Sequence, residues 1–346
     1  MMRSEGTRDE VERQQERPWS VVVVAPVYRD WDSAALLCKA LDEVSSQIPT
    51  VQLRILLVDD GSPDRLQGWE PFTPVWIWSI EVLWLRRNLG HQRAIAAGLC
   101  YIHENAPCDT VVVMDADGED RPKDAVYLIQ RSMETPEAII FAERRKRVET
   151  LLFRTGYQGY RLLHRVLTGV PVRVGNFSVL PFLSLKRLVC MSELWNHYAG
   201  AVFKSKLRFG CIPIDRGMRY RGQSRMNLIS LFNHGLSGIA SFNDAVASRI
   251  LIASVACTLA VLAALLSVLA VRLFTALAIP GWATYASGLL LILLTQCAAI
   301  SFSLVFTLIV NRTNAVFLPE RDYGLFVDEV EVLIGRSGES NEPHNT

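Results

Sequence analysis

From Ile250 to Val271 no residue is charged, and after the single Arg272 a second uncharged stretch runs from Leu273 to Asn311. A hydrocarbon core about 30 Å thick needs about 20 apolar residues in a helix. Ile250 to Val271 and Leu289 to Val310 each supply that length, so the pattern predicts a two-helix membrane hairpin over residues 249–312. Its connection, through Pro280, Gly281 and Trp282, carries no charge, whereas Arg249 and Arg312 flank the outer ends. The positive-inside rule then places the preceding domain and both termini in the cytoplasm, with Arg272 as a weak opposing charge. Gln296, a lone amide in the second span, is expected to bond to the neighbouring helix.

The first 249 residues read differently. Val21 to Ala25, Leu53 to Val58, Ile80 to Leu85, Thr110 to Met114 and Ala138 to Phe141 are short apolar runs of the kind that form buried parallel strands. Helical patterns fill the intervals: Ser33 as cap of a helix to about Ser46, His91 to Glu104 after Gly90, and Lys123 to Met133 after Pro122. The alternation predicts an α/β domain with an open, mostly parallel, Rossmann-like sheet over residues 18–226. Residues 1–17 are crowded with charge, lack an apolar core and read as disordered. Leu228, Phe232, Ile239, Phe242 and Val246 make a helical stripe, which predicts an amphipathic interfacial helix over residues 227–248, with a plain packing helix of the head as the alternative. Residues 313–346 form a cytoplasmic tail in which Tyr323 to Gly335 is expected to add a strand or a short helix to the head.

The net charge of +1 supplies no pervasive positive field, so nucleic acid is not expected as a partner. The seven cysteines show no CxxC pair and read as reduced, buried thiols of a cytosol-facing protein.

In an open parallel sheet, ligands sit outside the carboxyl ends of the strands. Here each strand runs into a polar cluster there: Pro26 to Asp30, Asp59 to Ser62, Arg86 to His91 and Asp115 to Asp120. Asp115 and Asp117, one residue apart after a strand, are spaced to approach one hard cation that bridges the phosphates of a nucleotide, and Glu119 repeats the spacing. Mg2+ or Mn2+ there would neutralise charge on a departing diphosphate. A strand followed by Asp-x-Asp-Gly also fits the nucleophile loop of haloacid-dehalogenase-type phosphatases. Glu119, where those have Thr or Ser, and the loop's place after a later strand argue against that reading.

Taken in order, Val24-Ala25-Pro26-Val27-Tyr28, Asp59-Asp60-Gly61-Ser62, Arg87-Asn88-Leu89-Gly90-His91-Gln92 and Asp115-Ala116-Asp117 resemble family 2 glycosyltransferases of the GT-A fold. With two C-terminal spans, the chain is most similar to the polyprenyl-phosphate, dolichyl-phosphate mannose synthase-like members, from Ser20 to about Arg312. The resemblance implies inverting transfer of a sugar from a UDP- or GDP-sugar to a polyprenyl phosphate, and leaves room for a homo-oligomer. It assigns Pro26, Tyr28 and Asp30 to the loop bordering the nucleoside, Asp59 and Asp60 to base and ribose, and Asn88 and His91 to the loop beside the nucleotide. Asp115, Asp117 and Glu119 match its metal and diphosphate ligands, the last commonly Gln. Arg219, Arg221, Ser224 and Arg225 look like the Arg-x-x-Gly-x-Ser-Lys signature, with Arg225 in place of Lys, and they are expected with Arg144 to hold the acceptor phosphate. Attraction to anionic headgroups is an alternative role for Arg144 to Arg147 and for Arg219 to Arg225.

The family often carries an acidic residue before the Phe that aligns with Phe177, and this chain has Asn176. A hydroxyl acceptor would need a base there. A phosphate monoester, with a second pKa near 6, arrives ionised. Asn176 therefore fits a lipid-phosphate acceptor, or else a non-catalytic membrane scaffold that retains the fold. A processive polysaccharide synthase is the remaining alternative, but its Gln-x-x-Arg-Trp motif is absent.

Overall fold

The computed structural model describes residues 17–144, 151–169, 174–221, 236, 238–275, 281–313 and 317–336. The chain divides into two compact units, residues 1–149, 173–241 and 317–346 in one and 150–172 with 242–316 in the other. The segment expected to be disordered lies outside the described residues apart from Arg17, whose guanidinium pairs with Asp109.

The first unit is built on an eight-stranded sheet. Its elements in chain order are β1 (Trp19–Val27), α1 (Trp31–Ser45), β2 (Val51–Asp59), β3 (Ile77–Leu85), α2 (His91–Asn105), β4 (Thr110–Val113), α3 (Pro122–Glu134) and β5 (Ile139–Arg144). The chain re-enters the unit with β6 (Ser178–Pro181) and β7 (Phe209–Ile214), and β8 (Val327–Gly335) returns from the far end of the sequence. The strand order is β7-β5-β6-β4-β1-β2-β3-β8. β4, β1, β2 and β3 run parallel to one another, as do β5 and β7, whereas β6 and β8 run antiparallel to their neighbours. The sheet is therefore mostly parallel but mixed, and its central strands all end on one edge.

The valine run of β1 follows from cover on both faces. Val21, Val23 and Ala25 join α1 and α3 residues such as Leu37, Leu41, Val126 and Ile129. Val22 and Val24 join α2 residues such as Ile95, Leu99 and Ile102. Each such side chain, withdrawn from water, contributes on the order of 1.5–3 kcal/mol before entropy is counted.

Several expectations need correction. α1 begins at Trp31 rather than behind a Ser33 cap: the Asp30 carbonyl accepts from Ala34 at 3.1 Å, and buried Trp31 packs edge-on against Trp69 and at a tilt against Trp84, drawing Ser33 inside the first turn. β6 and β7 escape the apolar-run criterion because one has four residues and the other carries Gly210 and Pro213 at the sheet edge, where proline is tolerated. The tail segment resolves to a strand, Val327–Gly335, paired antiparallel with β3. Cys190 and Cys211 are exposed rather than buried.

The second unit contains α4 (Leu151–Thr168), α7 (Asn243–Phe274) and α8 (Trp282–Thr313); α5 (Phe182–Leu188) and α6 (Tyr198–Ser205) belong to the first. α7 and α8 are each 32 residues long, apolar and long enough to cross a membrane. Both overrun the expected spans, α8 beginning at Trp282 instead of Leu289. Gln296 is exposed; Ser254 makes polar contacts between the two helices, its hydroxyl meeting Cys297 O at 3.2 Å and Ser301 Oγ at 2.8 Å.

The interfacial helix expected over residues 227–248 is interrupted. Its first half, 227–235, lies outside the described residues, and a turn at Ser241 and Phe242 separates the rest from Asn243, where α7 starts. That turn coincides with the boundary between the units. α4 is 18 residues long. Its C-terminus is closed by Arg249, which donates to Val166 O at 2.7 Å.

Candidate active site

The parallel strands β4, β1, β2 and β3 deliver their carboxyl-end loops side by side, and hydrogen bonds join the loops into one rim. Asp60 N donates to Val27 O at 2.8 Å, and Arg29 N to Ser62 Oγ at 2.9 Å. Asp60 accepts from Leu89 N at 2.6 Å and Gly90 N at 3.0 Å, so the loop that opens α2 hangs on this one carboxylate. Burial pushes the Asp60 carboxyl up to about 6 against the pull of those two amides. Gly61 adopts φ +70°, and a side chain there would collide with the Arg87 and Asn88 backbone.

Asp59 accepts from Ser62 N at 2.7 Å through Oδ1. Its Oδ2 is buried without a hydrogen-bond partner, and burial raises its pKa despite the neighbouring amides and Arg65. A buried carboxylate oxygen left in this state is costly and suited to a ligand N–H or O–H. Pro26 is buried, Asn88 is exposed, and Tyr28 is exposed beneath the Arg29 guanidinium, 5.6 Å from the ring centre. Asp30 stands half-buried at the start of α1.

After β4 the loop folds back on itself: Asp115 N donates to Asp120 Oδ2 at 2.9 Å and Glu119 N to Asp117 Oδ1 at 3.0 Å. His91 Nε2 lies 3.2 Å from Asp115 Oδ1. Desolvation opposes the charge on this imidazole, and Asp115, Asp120 and Asp60 outweigh it, holding its pKa above the ordinary value. The same ring nitrogen also meets an amide chain: Tyr198 N donates to Gln92 Oε1 at 2.8 Å, Gln92 Nε2 to Asn176 Oδ1 at 3.0 Å, and Asn176 Nδ2 stands 3.0 Å from His91 Nε2. The main-chain donor at Tyr198 fixes the orientation of both amides.

The segment after β7 lies along this acidic loop. Gly217 N donates to Glu119 O at 2.8 Å, and Tyr220 N to Asp117 O at 2.9 Å. The Tyr220 ring covers Gly118, which has φ +88° and no room for a β-carbon. Arg219 reaches Asp117 Oδ2 through Nη2 at 2.8 Å and Glu119 Oε1 through Nε at 3.0 Å, and Arg216 pairs with Glu119 Oε2. Arg221, exposed, pairs with Asp32 at 2.8 Å.

The structure thus brings together Asp59, Asp60, His91, Asp115, Asp117, Glu119 and Arg219. Ser224 and Arg225 lie outside the described residues, and Arg144 is placed only as the last residue of β5. Arg216 and Asp32 were not singled out from the sequence, and Gln92 and Asp120 entered only as members of their motifs, without a role. Arg216 had a visible signal, since it precedes Arg219 by one Arg-x-x-Arg step; Asp32 had none without the fold. Among the described residues no group of three or more His, Cys, Asp or Glu is arranged to hold a metal. Glu119 accordingly does not join Asp115 and Asp117 in such a cluster, both its oxygens being taken by guanidinium groups. Hard oxygens at Asp115 and Asp117 still suit Mg2+ or Mn2+, because such a cation takes one or two carboxylates and completes its shell with substrate phosphates and water.

Residues 22–189 match the family described as glycosyl transferase family 2. The matched segment is a family 2 glycosyltransferase domain. An uncharacterized glycosyltransferase of Bacillus subtilis (strain 168), YkcC, is 26% identical over 271 residues, 76% of this chain and 80% of that protein. A prophage bactoprenol glucosyl transferase homolog of Escherichia coli (strain K12) is 21% identical over 225 residues, 64% of this chain and 72% of its own length. Among solved structures, glucosyl-3-phosphoglycerate synthase from Mycobacterium tuberculosis, in complex with Mn2+ and UDP-glucose, aligns with a TM-score of 0.43 at 14% identity, covering 68% of this chain and 82% of that one. The glycosyltransferase has a mostly parallel α/β sheet, followed in sequence by two long apolar helices.

Proposed function

We propose that this glycosyltransferase moves a sugar, with inversion, from a UDP- or GDP-sugar to a polyprenyl phosphate at the cytoplasmic face of a membrane crossed by α7 and α8. The observation that carries the reading is the 2.8 Å contact between Arg219 and Asp117, which joins the arginine segment to the acidic loop. Relatives named as bactoprenol glucosyl transferases support the acceptor.

The nucleoside lies on the loops after β1 and β2, where Asp59 Oδ2 receives a donor from the base or ribose. Asp115 and Asp117 face the diphosphate, and a divalent cation bound there supplies positive charge to the leaving group. Arg219 and Arg221, with Ser224 and Arg225, present the acceptor phosphate to the anomeric carbon. A phosphate oxygen bonds to that carbon as the bond to the nucleoside diphosphate breaks. Since the attacking oxygen is already ionised near neutral pH, Asn176 is not asked to remove a proton.

The test is release of nucleoside diphosphate by the full chain in membranes, with a panel of UDP- and GDP-sugars, a divalent metal and polyprenyl phosphate. Release should require all three components and fall on the order of 100-fold or more in Asp117→Ala. Equal release without the lipid, or undiminished turnover in that variant, overturns the proposal.

A further inference from the structure

We propose that Glu119 is a positioning residue for the acceptor arginines and not a ligand of the metal. The inference rests on the acceptor reading above and assigns one of its acids to the opposite substrate. Glu119 is 8% exposed, and a buried carboxylate must be paired or it will not stay ionised. It is paired twice: Arg216 takes Oε2, and Arg219 Nε takes Oε1 at 3.0 Å. The family resemblance implies Gln at this place, which would set an amide N–H2 beside two guanidinium groups. Glu119 instead brings a full negative charge to the two positive ones.

The geometry of Arg219 shows what the pairing achieves. A guanidinium carries five N–H groups in a rigid fork. Its Nε and Nη2 side is occupied by Glu119 and Asp117, at 3.0 and 2.8 Å. Neither contact uses Nη1, so the group is clamped along one edge and can offer the other to an anion. Turning Glu119 toward a cation would withdraw the shared acid from Arg216 and Arg219 at once, leaving two nearby positive charges facing each other. Swinging Arg219 wholly onto Asp117 would cover the carboxylate nearest the diphosphate. The main-chain bonds from Gly217 and Tyr220 to the 117–119 loop keep both arginines in reach.

Glu119→Gln and Arg216→Gln in the full chain test this by two binding measurements that need no turnover. One is the electron-paramagnetic titration of Mn2+ in the presence of nucleoside diphosphate. The other is calorimetric binding of n-decyl phosphate to the nucleotide-loaded protein. Both variants should leave the Mn2+ titration within about twofold and weaken decyl phosphate by about tenfold, a change of about 1.4 kcal/mol. Acceptor KM should rise correspondingly, with donor KM unchanged. A tenfold loss of Mn2+ affinity in Glu119→Gln, with decyl phosphate binding intact, overturns the assignment while the proposed function stands. Failure of the unaltered protein to bind any phosphate monoester overturns both. Arg216→Gln keeps the test open if Glu119→Gln does not fold, because it removes the partner and leaves the acid.

Discussion

The carboxylates of Asp59 and Asp60 accept main-chain N–H groups from Ser62, Leu89 and Gly90, whereas Arg216, Arg219 and Arg221 are held by the side chains of Glu119, Asp117 and Asp32. The first kind of bond is fixed by the sheet, since the loops it ties together are continuations of neighbouring parallel strands. The second joins flexible side chains whose partners can be exchanged for other ions. A rigid face suits recognition of a donor of defined shape, and an exchangeable one suits an anion that must arrive, react and leave with a lipid attached.

The sharpest break in this comparison is Asp59→Ala. Removing a buried, charged acceptor should weaken nucleotide binding by about 1.5–3 kcal/mol, roughly 10- to 150-fold, because the ligand donor that met Oδ2 is left unpaired. Isothermal titration with UDP and GDP measures it. Arg221→Ala, which opens only an exposed pair with Asp32, should leave nucleotide affinity within about twofold. Equal losses in the two variants would erase the distinction between the faces.

Gly118→Ala attacks the junction itself. Its φ of +88° is unfavourable for any L side chain, and the new methyl group would stand 2.7 Å from the Tyr220 ring. The variant should lose about 1–3 kcal/mol of stability in denaturant melts. Acceptor KM should suffer more than donor KM, since the displaced partner is the arginine-bearing segment.

The rigid face was legible early. Runs of valine and leucine between helical patterns located β1 to β4, and in a parallel sheet their loops have to emerge together. What the chain does with those loops was less visible. Asp60 looks like a ligand in the sequence and serves as the hinge post of the next loop, because its partners are main-chain amides that no side-chain pattern announces. Glu119 looks like a third metal ligand until β7 brings Arg216 and Arg219 across a separation of about a hundred residues. The edge strands were missed where glycine, proline or brevity hides strand character, as in β6 and β7.

Asp60 gives a pH test of intermediate size. Its folded pKa, about 6, exceeds the unfolded value of roughly 3.9, so folding favours the proton. The contribution of this group to stability is therefore full below pH about 4 and lost as pH rises through 6. Nucleotide binding should run the other way, because only the ionised form accepts from both Leu89 and Gly90. Affinity should rise several-fold, at most about tenfold, between pH 5 and pH 7, and Asp60→Asn should flatten that step. A step that persists in Asp60→Asn assigns it to another group.

Asn176→Asp should produce the smallest change, and its smallness is informative. The amide chain from Tyr198 N through Gln92 forces Asn176 to accept on one side and to turn its N–H2 toward His91. An aspartate there keeps the contact with Gln92 and faces the imidazole with a second acceptor, which adds to Asp115 in raising the His91 pKa. No new base is thereby aimed at a hydroxyl, since the added carboxylate is spent on His91. For an acceptor that is already ionised, turnover should stay within about threefold, because a missing general base costs nothing where no proton must be removed. Assaying the variant with polyprenyl phosphate and with the corresponding free alcohol decides the matter. Gain of transfer to the alcohol would mean that Asn176 is what restricts the acceptor, and that the amide chain belongs to specificity and not to the positioning of His91.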